Sequence, residues 1–125
     1  MTTFVGTLFL KLDQKYLSEG FFSNTYGITG TLYLDQNLTT VFNASSYPIG
    51  WIRMFRIGSV ADYLNKQITW VSQSGGTFQY FPKKGELPPA NVYRIKIELQ
   101  DANPPVNEEI STYPVEFSII RGPFQ

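Results

Sequence analysis

The chain contains no cysteine and no histidine. The first absence excludes disulfides and thiolate chemistry, and with them a small secreted framework held by bridges. The second removes the commonest general base and the commonest transition-metal ligand together. Zinc, copper, iron–sulfur clusters and the usual catalytic triads drop out, so the expectation is no metal and no cofactor. A surplus of charge is missing too: Lys+Arg 10 and Asp+Glu 10 give a formal net charge of zero. Nucleic-acid binding needs a basic face to neutralise phosphates, and the densest basic cluster, Lys83-Lys84 before Gly85, reads as a solvated turn. Near-zero charge gives little colloidal repulsion, which suits a protein that works in an assembly.

Long apolar runs are also lacking. Met1 to Gly6 carries no basic residue, and the apolar run Thr7 to Leu10 is far too short for a signal peptide or a membrane span. The expectation is a protein made in the cytoplasm, with no membrane partner. The sequons Asn37-Leu38-Thr39 and Asn43-Ala44-Ser45 carry little weight without a secretory route. Helical periodicity fails over most of the chain; the best candidate for a short helical turn is Gly58 to Lys66, where Val60, Ala61, Tyr63 and Leu64 could share a face.

What remains is β-patterning. In Asn91 to Leu99, Tyr93, Ile95, Ile97 and Leu99 alternate with Arg94, Lys96 and Glu98, and further on Val115, Phe117 and Ile119 alternate with Glu116 and Ser118. That is the period of strands with one buried and one wet face. Between them Asp101 to Asn107 contains Pro104-Pro105, which remove donors and hold an exposed tip. Upstream, Thr3 to Leu12 places Leu8, Leu10 and Leu12 on one face. The loop Asp13 to Asn24 offers Phe21-Phe22 to plug an edge of the core. Thr25 to Asp35 and Leu38 to Phe42 follow, and Gly50 to Ile57 sets Ile52 and Met54 against Trp51, Arg53 and Phe55, both faces partly apolar. Gln67 to Ser72 and Thr77 to Phe81 flank Gln73-Ser74-Gly75-Gly76, a glycine turn suited to a tight hairpin. The count, about eight strands at sandwich-like spacing, predicts one all-β domain over residues 1–125, a two-sheet antiparallel Greek-key sandwich of immunoglobulin-like type. A small closed barrel is the alternative.

Chemistry is harder to find. Aromatic residues make up 16% of the chain, and Trp51, Trp70, Tyr63, Tyr80 and Phe81 invite a sugar-stacking reading, although rings are equally favoured as strand and interface residues. Glycosidase chemistry needs two carboxyl groups across a cleft, and none is singled out: Glu108-Glu109 are expected at a loop tip, Glu98 and Glu116 on wet faces. Asp35 and Asn37 lack the density of oxygen ligands of a dedicated calcium site. The chain is therefore read as no enzyme, with no catalytic, cofactor or metal residues.

The segments Thr77-Phe78-Gln79-Tyr80-Phe81-Pro82, Leu87-Pro88-Pro89, Tyr93 to Leu99, and Ser111-Thr112-Tyr113-Pro114-Val115 to Ile119 resemble the N-terminal domain of baseplate upper proteins of tailed bacteriophages. Thr40 to Asn43 and Ile52 to Arg56 are similar to that family's preceding strands, while Ala90-Asn91 stands where the family has a glycine; asparagine tolerates the left-handed conformation. The resemblance implies an immunoglobulin-like assembly module in a virion, partnered by other virion proteins or by copies of itself. The expected contact residues are Trp51, Arg53 and Phe55, the row Arg94, Lys96 and Glu98, and the loop Asn103 to Asn107 with Pro104 and Pro105. Exposed strand edges, and the Trp and Arg types enriched at hot spots, motivate that choice. The rival reading is a glycan-binding or receptor-binding module acting through surface aromatics.

Overall fold

In a computed structural model the described residues are 3–59, 61–101 and 108–121, without the side chains of 3–5 and 108. They form ten strands: β1 Thr3–Leu12, β2 Tyr16–Ser18, β3 Ile28–Tyr33, β4 Ile49–Phe55, β5 Asp62–Gln67, β6 Thr69–Ser72, β7 Thr77–Tyr80, β8 Asn91–Gln100, β9 Glu108–Thr112 and β10 Val115–Ile120. No helix occurs among the described residues, and none therefore is long and apolar enough to cross a membrane. The strands make one mixed sheet. Its ladders fall into two groups. One runs β5-β4-β8 and then to β9 and β10; the other runs β1-β3-β7-β6.

β1 belongs to both groups. Its first half runs parallel to β9, from Thr3 opposite Glu108 to Leu8 opposite Thr112, and its second half runs antiparallel to β3, from Phe9 opposite Tyr33 to Leu12 opposite Gly30. β2 then returns to the first group, parallel to β10. These two parallel ladders correct the expectation of a wholly antiparallel fold, and the strand number rises to ten from the expected figure of about eight. The additions are β2, hidden in a polar loop, β5, on a stretch read as a helical turn, and β9, on a stretch read as a loop tip, against the loss of a strand at Leu38 to Phe42.

Alternation sets the core. Tyr93, Ile95, Ile97 and Leu99 of β8 are buried, as are Ile52 and Met54 of β4 and Phe117 and Ile119 of β10; they join Leu8, Leu10, Ile28, Leu32 and Phe78 from the other ladder group in a single cluster. Each such side chain contributes roughly 1.5–3 kcal/mol of transfer free energy, so this shared cluster holds the two groups together. The hairpin of β6 and β7 turns as the glycines require: Gly76 has φ 66 and Gly75 N–H donates to Ser72 Oγ over 3.1 Å.

Two further expectations are overturned. The described residues of Gly58 to Lys66 make no helix, because residues 62–67 form β5, where Leu64 alone is buried and the flanking positions face solvent. Leu38 to Phe42 makes a single bridge, Val41 to Tyr33, instead of a strand. The Asp35 carboxylate accepts from Thr39 N–H, Thr39 Oγ1 and Thr40 N–H, and Leu38 takes φ 60. Side-chain capture of the backbone thus competes with ladder formation. Those bonds hold the Asp35 carboxyl below its ordinary range, the Thr39 hydroxyl contributing most.

Candidate contact face on β4 and β8

β4 and β8 are adjacent and antiparallel, with Trp51 opposite Glu98, Arg53 opposite Lys96 and Phe55 opposite Arg94. Because Ile52, Met54, Ile95 and Ile97 point into the core, these intervening residues share the outer face. Two stretches of sequence singled out separately thus form one patch, every member half-buried. The patch continues sideways to Asn65 and Gln67 of β5 and to Glu116 of β10. Gly50 supports it from below: a side chain there would come within 2.8 Å of Leu99 and 2.9 Å of Ile68.

Its charges are organised around Arg53. Arg53 Nε donates to Asp62 Oδ2 at 2.9 Å and Nη2 to Asp62 Oδ1 at 3.0 Å, while Nη1 donates to Glu98 Oε2 at 2.7 Å. Lys96 Nζ lies 3.2 Å from the same Glu98 oxygen. A register shift between Met54 and Phe55 brings Asp62 opposite Phe55 and within reach of the guanidinium. Burial opposes the charge on Arg53, but the hydrogen bonds and charges of Asp62 and Glu98 outweigh it and raise its affinity for the proton. A bidentate arginine in a network with limited exposure is worth more than an isolated surface pair, about 1 kcal/mol. Asp62 was invisible to sequence reasoning, since its role depends on the bulge.

The backbone beneath this row is closed by one side chain. β8 pairs with β10 through residues 91–95 and with β9 through residues 98–100. In the interval the Ile97 N–H donates to the buried Thr112 Oγ1 at 3.0 Å. The row Arg94, Lys96, Glu98 therefore stays continuous while the partner strand changes.

The other candidates sit elsewhere. Pro104 and Pro105, with Asn103 to Asn107, lie outside the described residues. Glu108-Glu109 open β9 instead of marking a loop tip. Tyr80 is in the core, its hydroxyl donating to Glu86 at 2.6 Å; Trp70 Nε1 donates to the Pro48 carbonyl at 3.0 Å, and Tyr63 packs on Tyr93 with ring centroids 5.4 Å apart. Internal contacts thus engage these rings, although Tyr63 stays exposed, and Trp51 is the member on the contact patch. Among the described residues no group of three or more His, Cys, Asp or Glu could hold a metal ion.

The strand edges are less inviting than their exposure suggests. The outer edges of β5 and β6 have no partner strand among the described residues. Yet each ladder there carries a register shift, at Met54/Phe55 and at Trp70/Ser72, and Lys66 of β5 sits opposite the buried Ile52 with its amine 3.5 Å from Glu86. Bulges and inward-set lysines are devices that blunt edge pairing. At these two edges the face, not the edge, is the available surface. Comparison with protein-family models, with curated proteins and with solved structures finds no match. The resemblance to the baseplate family therefore rests on the residues quoted for it.

Proposed function

We propose that this chain is a non-enzymatic structural module of a bacteriophage virion, working in tail, baseplate or capsid decoration, and that it assembles through the outer face of β4 and β8. We read its fold as a two-sheet sandwich of immunoglobulin-like type: a single core drawn from two ladder groups supports this, with β1 passing from one group to the other. The observation that carries the functional reading is the cross-strand register that gathers Trp51, Arg53 and Phe55 beside Arg94, Lys96 and Glu98. Tryptophan, phenylalanine and arginine on one rigid surface match the composition of protein contact cores, and Lys96, Glu98 and the neighbouring Asp62 match a polar rim.

Copies of the same chain are the first partner to test. Sedimentation velocity over a wide concentration range is expected to show a defined oligomer, and Trp51→Ala combined with Phe55→Ala is expected to return it to monomer with an unchanged circular-dichroism spectrum. A wild-type monomer at every concentration would sink self-assembly through this face.

A further inference from the structure

We propose that the depression between Tyr16 and Tyr26 is a binding site for a small neutral saccharide. It has a volume of about 500 Å³ and is walled by these two rings, with Leu17 and Phe21 beneath and Asp13 and Lys15 at the rim. It shares no lining residue with the β4–β8 patch, from which β10 separates it, and stands independently of the assembly reading.

The walls are held before any ligand arrives. Asp13 N–H donates to the Thr29 carbonyl at 2.9 Å, and Asp13 Oδ2 accepts from Thr29 Oγ1 at 2.8 Å. Gln14 makes two further bonds to Thr29, Nε2 donating to Oγ1 at 3.0 Å and Oε1 accepting the backbone N–H at 2.8 Å. On the other side Ser118 N–H donates to the Lys15 carbonyl at 3.1 Å, and β2 continues as a ladder to β10. The opposite wall is a tight turn in which Ser23 Oγ accepts from the N–H groups of Thr25 and Tyr26 at 3.1 and 3.2 Å. Phe21 meets Tyr26 edge-on, centroids 5.8 Å apart and planes at 83°.

Against this fixed frame the functional ends are open. Tyr16 is 58% and Tyr26 52% exposed. Among the described residues neither hydroxyl has a hydrogen-bond partner, and neither do the Lys15 amine and Asp13 Oδ1. Rings that do not finish burying themselves, with unspent donors and an unspent acceptor between them, suit a ligand with an apolar face and a periphery of hydroxyls. One lysine against one aspartate favours a neutral ligand, and the volume falls in the small-ligand range of roughly 300–1,000 Å³, enough for one or two pyranose rings. Fixed walls reduce the ordering that binding would otherwise require.

The test is a ¹H–¹⁵N titration of the full chain with maltose, lactose and N,N′-diacetylchitobiose as separate probes. At least one is expected to give saturable shifts centred on amides of residues 13–18 and 21–29. Tyr16→Ala and Tyr26→Leu are expected to weaken it about tenfold; the leucine keeps an apolar contact for Phe21, so the turn survives. Trp51→Ala is expected to leave the affinity unchanged. Absence of saturable shifts with all three sugars, shifts centred on Trp51 or Trp70, or undiminished binding in both tyrosine variants would overturn the proposal.

Discussion

The β4–β8 face and the Tyr16–Tyr26 depression draw on similar residue types, aromatic rings interleaved with acids and lysines, but they differ in what their polar groups have left to offer. On the face, Arg53, Asp62, Glu98 and Lys96 engage one another. In the depression, Asp13 and Gln14 are tied to Thr29, whereas Lys15 and both tyrosine hydroxyls have no partner among the described residues. A closed network stiffens a surface and suits broad contact with another protein, where shape and desolvated rings carry the energy. An open one keeps hydrogen-bonding capacity for a ligand that brings its own hydroxyls.

Breaking the face from beneath should have the largest effect. Thr112→Val removes the acceptor of the buried Ile97 N–H, and is expected to destabilise by about 2 kcal/mol in urea denaturation, while the amide shifts of residues 13–18 stay in place. Next is Arg53→Ala, which strands Asp62 and Glu98 without their guanidinium; about 1 kcal/mol is expected. Arg53→Lys should recover only part, since a lysine cannot grip Asp62 through two bonds.

A third cluster extends the contrast through pH. Glu86 Oε1 accepts from Tyr80 Oη at 2.6 Å and from Lys83 N–H at 2.9 Å. Burial pushes the Glu86 carboxyl up, but the Lys83 amide, the Tyr80 hydroxyl and Lys66 together hold it below the ordinary glutamate range. A carboxyl lowered on folding stabilises above its unfolded pKa, and that contribution is lost as pH falls through the folded value. Glu86→Gln should therefore flatten the acid limb of the stability profile and change neutral-pH stability by no more than about 1 kcal/mol. The same linkage fixes the opposite sign for Tyr80, whose hydroxyl is pushed upward by burial and by Glu86. The smallest effect belongs to the depression: Tyr16→Ala should change stability by less than about 0.5 kcal/mol, and a larger loss would show that the ring belongs to the fold instead of to a ligand.

How far these two regions could be read in advance differed as well. The alternation of Tyr93 to Leu99 and of Ile52 and Met54 was legible because a half-buried strand repeats every second residue. It put Trp51, Arg53, Phe55, Arg94, Lys96 and Glu98 on outer faces. Their mutual register was not legible, since pairing residue 51 with residue 98 depends on tertiary packing that no local pattern encodes. The helical reading of residues 58–66 failed for a related reason: Val60, Ala61, Tyr63 and Leu64 look periodic in isolation, yet the ladder to β4 and its bulge decide the state of Tyr63 and Leu64. β2 stayed hidden because Tyr16-Leu17-Ser18 has one inward residue and pairs with a strand near the other end of the chain. Missing β2 meant missing the depression it builds.

The parallel ladders of β1 with β9 and of β2 with β10 also carry a kinetic consequence. Thr3 lies opposite Glu108 and Ser18 opposite Ile120, so these contacts close loops that take in most of the chain, and such loops are slow to close. β4 with β5 and β6 with β7 are short-range hairpins that can form early. During synthesis the growing chain therefore holds β1 without its parallel partner until residues 108–112 emerge, with only β3 to shelter its second half. The last strands made complete the first.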